Sequence, residues 1–212
     1  MSDQRTTVYL VRHCDVENPK HLLYGFLPNF GLSKKGKVQA ETLGKFLADK
    51  PMAQIYASPL QRAQETAKAI ADAHTGLAIE TTDELIEARF SKHIQGIKVR
   101  SVAFRRPLWF IHKAFPGLMP NDESNPAMAA RVCAPIMRIL RDHPGVGGVC
   151  VSHGDPIQAF WNISLGKNRF LKDDCVKGGL LRLTFVGSRL EDITYMSPET
   201  IAATVSARSG VA

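Results

Sequence analysis

Two histidines that lie far apart in the chain end similar apolar runs. His13, preceded by Arg12, follows Thr7-Val8-Tyr9-Leu10-Val11, and His153 follows Gly148-Val149-Cys150-Val151-Ser152. An imidazole can act as a nucleophile or a proton carrier near neutral pH, and an Arg beside it offers an anion a planar fork of donors. Two buried strands of one sheet ending in these residues would gather both rings at the edge where α/β folds keep their ligands. An anion is the natural guest there. A second guanidinium, Arg62, follows Ser58-Pro59-Leu60-Gln61, which reads as a capping box with Pro at the first helical position. A cation in the first turn is unfavourable against the helix dipole, and a bound anion nearby would compensate for it. His153 likewise stands just before Asp155-Pro156, a further helix start.

The elements that must position these groups follow from periodicity. Strands are predicted over 7–11, 54–57, 78–81, 147–152, 179–186 and 190–195, and helices over 33–49, 59–73, 126–142 and 156–165. Their alternation implies an α/β three-layer sandwich, a mostly parallel central sheet with helices on both faces. The last two strands, split by Gly187-Ser188, read as a hairpin and give the sheet an antiparallel edge. Asn125-Pro126 caps a helix whose Ala129, Val132, Cys133, Ile136, Met137 and Leu140 form an apolar stripe, with a kink predicted at Pro135. No repeat or linker divides the chain, so 1–212 is expected to be one domain, with an insertion over 88–125. The small, polar end over 201–212 is expected to fray.

The bulk numbers agree with a globular enzyme-sized domain. The 212 residues are 44% hydrophobic and 22% charged, enough for one substantial core. No stretch has the length of a membrane span and the first residues do not open a signal peptide, so a cytoplasmic location is expected. Cys14, Cys133, Cys150 and Cys175 lack metal-ligand spacing and a dense disulfide pattern, and read as small buried hydrophobes. The net charge of +7 is unevenly placed. From Ala88 to Asn121 there is no acidic residue, while Arg89, Lys92, Lys98, Arg100, Arg105, Arg106 and Lys113 are basic and His93 and His112 add to them. A field of one sign suggests a phosphorylated or polyanionic partner.

Four motifs in order, Arg12-His13, Leu32-Ser33 with Gly36 and Gln39-Ala40, Ser58 to Ala67, and Ser152-His153-Gly154-Asp155, resemble the histidine phosphatase superfamily, which includes the cofactor-dependent phosphoglycerate mutases. The resemblance covers residues 7–187. It implies phosphoryl transfer through a phosphohistidine on His13. Arg12 and Arg62 would bind the phosphoryl oxygens. His153 would complete the pocket, protonated when phosphate is bound, with Gly154 and the loop amide of Asn18 as further contacts. It also implies a carboxyl that protonates the leaving oxygen. In Asp83-Glu84-Leu85-Ile86-Glu87-Ala88-Arg89-Phe90 the family's spacing selects Glu87, and Glu84 is read as a solvated charge. Neither a metal nor another cofactor is called for.

The sequence departs from the family pattern at several places. Cys14 stands where relatives carry Gly, which would cost something if that backbone needs a positive φ. It would be an oxidisable switch on a functional reading. Asp15 replaces a Glu, Asn18 lies one residue nearer His13 than expected, and the aromatic-x-Gly after the carboxyl survives only as His93-Ile94-Gln95-Gly96.

The mutases' Tyr-Lys-Arg insertion is absent and Arg105-Arg106-Pro107 echoes it faintly, which favours a phosphatase over a mutase; a binding module without turnover is the non-enzyme alternative. The basic segment also carries Phe104, Leu108, Trp109, Phe110, Ile111 and Phe115. Three readings stay open for it: structure packed on the sheet by these aromatics, a substrate lid in which Arg105 and Arg106 meet a second anionic group, or a surface touching anionic membrane. The expected partners are a phosphorylated small molecule and inorganic phosphate as product, with no specific nucleic acid and homodimerisation left open.

Overall fold

A computed structural model describes residues 4–89, 91–105, 111, 115, 118, 122–166 and 175–210. Six strands form one sheet: β1 (Arg5–Arg12), β2 (Gln54–Ala57), β3 (Ile79–Thr81), β4 (Gly148–Ser152), β5 (Leu180–Val186) and β6 (Arg189–Met196), in the order β3-β2-β4-β1-β5-β6. The pairs β3–β2, β2–β4 and β4–β1 are parallel, and β1–β5 and β5–β6 are antiparallel. The expected mostly parallel sheet with an antiparallel edge is therefore present. The outer strand β6 carries Arg189, Glu191 and Asp192 at its start, charges that discourage further strand pairing.

Seven helices occur among the described residues: α1 (Lys34–Leu47), α2 (Gln61–Ala71), the short α3 (Ser91–Ile94) and α4 (Val102–Arg105), α5 (Asn125–Asp142), α6 (Gly154–Ser164) and α7 (Pro198–Ser209). None is long and apolar enough to cross a membrane. They cover both faces of the sheet, as strand alternation requires. Val8 and Leu10 of β1 face a core made with α5 and α6 (Val132, Ile136, Ile139, Ile157, Phe160, Trp161). Tyr9 and Val11 face the opposite core, made with α1 and α2 (Leu43, Phe46, Leu47, Ala63, Ala67, Ile70). Helix α5 continues on both sides of the buried Pro135.

Three local expectations need correction. The described part of the tail is helical to Ser209 rather than frayed: Ser197 caps α7 by accepting the Thr200 N–H, Ile201 is buried against the α1 side of the core, and Arg208 donates to the Phe46 carbonyl at 3.2 Å. One deep apolar anchor suffices, and the small residues around it concealed the helix. Helix α2 begins at Gln61 rather than at Pro59, with Leu60 as its cap residue and no side-chain cap bond. Helix α5 is capped by Ser124, whose oxygen accepts the Ala127 N–H, so Asn125 and Pro126 are its first two residues.

The topology places the motif residues together. β1, β2 and β4 run parallel, so their C-terminal ends share one edge of the sheet. Arg12 is in register with Ser152, the His13 N–H bonds the Ser152 carbonyl at 3.0 Å, and the Ser58 N–H bonds the Val151 carbonyl at 3.0 Å. His13, Ser58 and His153 thus leave three adjacent strands side by side.

Candidate active site

At this edge the His13 and His153 ring centroids are 5.1 Å apart, and His13, Arg62 and His153 are essentially buried. His13 Nδ1 lies 2.8 Å from the Cys14 carbonyl oxygen. A carbonyl only accepts, so Nδ1 carries the proton and Nε2 presents its lone pair. That lone pair accepts the Arg62 Nε–H at 3.3 Å. Burial, with Arg62 and Arg12 nearby, holds the His13 pKa well below the usual imidazole value, so the ring is neutral at physiological pH. The geometry describes a desolvated nucleophile between two cations.

Arg62 reaches the pocket from the second position of α2. It donates to the Gly25 carbonyl at 3.0 Å and lies under the Tyr24 ring at 4.8 Å. Glu87 Oε2 is 3.8 Å from its Nη2. Arg12 donates through Nη1 to the Cys175 carbonyl at 2.8 Å. Its Nε is buried without a hydrogen-bond partner among the described residues. A Cβ on Gly154 would stand 2.8 Å from Arg12 Cζ and 2.9 Å from Nη2, so the missing side chain is what lets the guanidinium lie across this backbone. Behind it, the Gly178 N–H, at a φ of +78° that suits glycine, bonds both the Arg12 and His13 carbonyls.

His153 is the cap residue of α6. Its Nε2 meets Ser58 Oγ at 2.8 Å, while Nδ1 is buried, has no hydrogen-bond partner among the described residues and lies 3.8 Å from Glu87 Oε2. Burial first, then Arg62, His13 and Arg12, push its pKa well down. The positive charge expected on this ring with phosphate present would therefore have to come with the anion. For Glu87 the shift is upward: burial and the neighbouring Asp155 outweigh the attraction of Arg62. A carboxyl raised in this way can hold a proton to give away nearer neutrality. Two buried nitrogens without partners among the described residues, the starts of α2 and α6 and two guanidiniums all favour a dianion in the space between them.

The structure thus brings Arg12, His13, Arg62, Glu87, His153 and Gly154 together. Asn18 is engaged elsewhere: Nδ2–H donates to the Leu22 carbonyl at 2.8 Å and Oδ1 accepts the Leu22 N–H at 3.0 Å, and no hydrogen bond joins it to these groups among the described residues. Arg105 ends α4 in an exposed position, and Arg106 lies outside the described residues. Glu84 is no solvated charge. It forms a two-pronged pair with Arg138, which lowers its pKa.

Cys14 fits without strain, since the non-glycine residues with positive φ among those described are His21 and Asn29. Its thiol is buried and pushed up to about 12 by desolvation, the reverse of a reactive cysteine. Cys133 and Cys150 are likewise free thiols. Asp15 accepts from Ser33 Oγ at 2.7 Å and from Lys177 Nζ at 3.1 Å, joining the start of α1 to the loop behind His13.

In the basic segment, Ile94 and Val102 are buried with Ala88, Met128 and Ala159. Phe104 and Phe115 are exposed, so these two aromatics do not pack the segment on the sheet. Leu108, Trp109 and Phe110 lie outside the described residues. Sequence reasoning also missed Ser58 as the partner of His153, reading it only as a helix cap. The register of Ala57 with Val151 was the signal, and it needs the strand order. Tyr24 and Lys177 carried no signal of their own.

The profile of the histidine phosphatase superfamily (branch 1) matches residues 8–185. Phosphoserine phosphatase 1 of Hydrogenobacter thermophilus is 33% identical over 165 residues, covering 74% of this chain and 75% of that protein. The uncharacterized protein Rv0525 of Mycobacterium tuberculosis is 35% identical over 206 residues, covering 93% of this chain and 99% of that protein. Among solved structures, a phosphoglycerate mutase from Bacillus anthracis superposes with a TM-score of 0.76 at 19% identity, covering 95% of this chain and 97% of that one, a likeness of fold. With this fold, this edge pocket and a profile match over most of its length, the chain belongs to the histidine phosphatase superfamily, whose members include phosphatases and phosphoglycerate mutases.

Proposed function

We propose that this protein is a metal-independent phosphomonoesterase that hydrolyses a small phosphorylated substrate through a phosphohistidine on His13 Nε2. The observation that carries the reading is the fixed proton on His13: Nδ1–H held by the Cys14 carbonyl leaves Nε2 as the attacking atom, flanked by Arg62. A phosphoryl oxygen that takes the Arg62 N–H frees that lone pair. The Nε2–P bond forms as the ester P–O bond breaks, and its electron pair stays with the leaving oxygen, which takes a proton from Glu87. Glu87, now a carboxylate, removes a proton from water. The water oxygen bonds to phosphorus, the P–N bond returns its electrons to Nε2, and phosphate is released. Arg12 Nε and His153 Nδ1 are the natural donors to the equatorial oxygens.

The test is turnover of 4-nitrophenyl phosphate in excess chelator by wild type and His13→Ala. We expect the variant to lose at least about 10³-fold in kcat. Turnover that persists in His13→Ala overturns the assignment. Phosphoryl transfer of the mutase type is the second reading, supported by the likeness to the B. anthracis mutase over nearly the whole chain. Isomerisation of a phosphoglycerate primed with its bisphosphate would favour it, and hydrolysis alone counts against it. A binding module would have no use for the raised carboxyl of Glu87.

A further inference from the structure

Glu87 sits on no regular element. It follows the single 3-10 turn Asp83–Leu85 and the extended Ile86. A loop carboxyl must be held to within a fraction of an ångström of its proton-transfer position, because small misplacements cost large factors in rate. The three carbonyls just before Glu87 are each fastened by a side chain from the core. Arg131 Nη1, from α5, donates to the Glu84 carbonyl at 2.8 Å and to the Ile86 carbonyl at 2.7 Å. Ser152 Oγ, from the end of β4, donates to the Leu85 carbonyl at 2.7 Å.

The other edge of the same guanidinium grips a carboxylate. Arg131 Nε and Nη2 meet Glu123 Oε1 and Oε2 at 2.7 and 3.0 Å, and the two side chains are 15% and 9% exposed. This pairing matters energetically, since a largely buried guanidinium bonded only to neutral carbonyls would be uncompensated. Its placement matters as well. The basic segment begins just after Glu87, at Ala88, and Glu123 lies just beyond its far end at Asn121. One guanidinium therefore ties the backbone that presents Glu87 to the far end of the segment. Only a planar, five-donor group can serve two carbonyls on one side and a carboxylate on the other.

We propose that Arg131, braced by Glu123, is a positioning residue for Glu87. Arg131 makes no hydrogen bond to His13, His153 or the Glu87 carboxyl among the described residues; it acts on the carboxyl through the turn. The proposal rests on the reading of Glu87 as the proton donor. It has a signature that a merely structural role lacks. When the ester P–O bond breaks, an alkoxide needs the proton and a 4-nitrophenolate does not. Displacing Glu87 therefore penalises alkyl esters selectively.

The experiment compares kcat/KM for 4-nitrophenyl phosphate and for an alkyl phosphate that the wild type hydrolyses. This constant ends at leaving-group release and is not affected by the later hydrolysis of the phosphoenzyme. Arg131→Met is expected to raise the aryl-to-alkyl ratio by about tenfold, the scale on which misplacement acts. Arg131→Lys should recover part of this, and Glu123→Gln should move the ratio the same way by less. Glu87→Gln, run in parallel, should give the largest ratio. If Arg131→Met does not fold, Arg131→Lys and Glu123→Gln carry the same ratio. A ratio equal to wild type in the folded Arg131 and Glu123 variants, beside a raised ratio in Glu87→Gln, overturns the positioning role alone. A wild-type ratio in Glu87→Gln removes the donor reading and the proposal with it.

Discussion

Two regions of this molecule concentrate positive charge, and they do so in opposite ways. In the sheet-edge pocket the cationic and titratable groups come from positions 12, 13, 62 and 153, scattered through the sequence, and three of them are almost fully buried. In the segment after Glu87 the basic residues follow one another in the chain, and Arg89, Lys92, Lys98, Arg100 and Arg105 are all exposed. Ile94 and Val102 tie the described part of that segment to the core. The contrast is one of dielectric. Water screens the exposed charges to about 1 kcal/mol or less each, whereas in the pocket burial first, and then the neighbouring guanidiniums, hold both imidazoles neutral. Charge density along the sequence is therefore a poor guide to where the chemistry is; shared burial is a better one.

The comparison can be broken most directly by removing one cation from each region. Arg62→Ala is expected to lower kcat for 4-nitrophenyl phosphate by about 10²–10³-fold, as for loss of a donor to developing charge. Arg100→Glu, a full charge reversal in the exposed segment, is expected to change it by less than about threefold. Similar losses in the two variants would erase the distinction.

The second test uses the buried imidazoles. Their folded pKa values lie below the unfolded value of about 6.5. The unfolded chain therefore binds protons that the folded one refuses as the pH falls below that value. Stability contributed by keeping them neutral is complete above pH 6.5 and is lost on acidification, by about 1.4 kcal/mol per pH unit for each ring. Glu87 works in the opposite sense, because its raised pKa makes ionisation a cost that acid relieves. Urea denaturation between pH 7.5 and 5.5 should show a steeper loss in wild type than in His13→Gln/His153→Gln. Parallel slopes would mean that these rings are not desolvated as the geometry indicates.

The third and smallest effect concerns packing inside the pocket. Gly154→Ala places a methyl group against the Arg12 guanidinium and is expected to cost about tenfold in kcat/KM. The fold should survive, because the contact is with the end of a side chain. Circular dichroism and steady-state kinetics on the same preparation check both statements.

Much of this arrangement was legible in the sequence, for a definite reason. Each apolar run ending in His is short, β-branched and followed by turn residues, so its strand and its end can be located from local pattern alone. Arg62 was recognisable because a cation in a first helical turn is a local anomaly. Other features left no local trace. Arg131 is one of several basic residues on an amphipathic helix, and its hold on the Glu87 turn depends on a contact across 45 positions. Ser58 looked like an ordinary cap until strand order placed it beside His153. Asn18 looked available for phosphate until its amide closed on Leu22. The tail looked loose because a single buried Ile201 among small residues makes no periodic signal.

By itself the sequence determined the element types, the parallel sheet with its antiparallel edge, and the group of residues that meets at that edge. The elements and the sheet follow from backbone preferences and from the burial of alternating faces, which are properties of neighbouring residues, while Glu87 joined the group only through the resemblance to the family's spacing. Only the tertiary structure decided which nitrogen of His13 carries the proton, that both imidazoles are held neutral, that Glu87 is raised, and that Arg131 fastens the turn bearing it. Each of those depends on what a distant segment places within a few ångströms, where water is excluded and a single hydrogen bond or charge outweighs local preference.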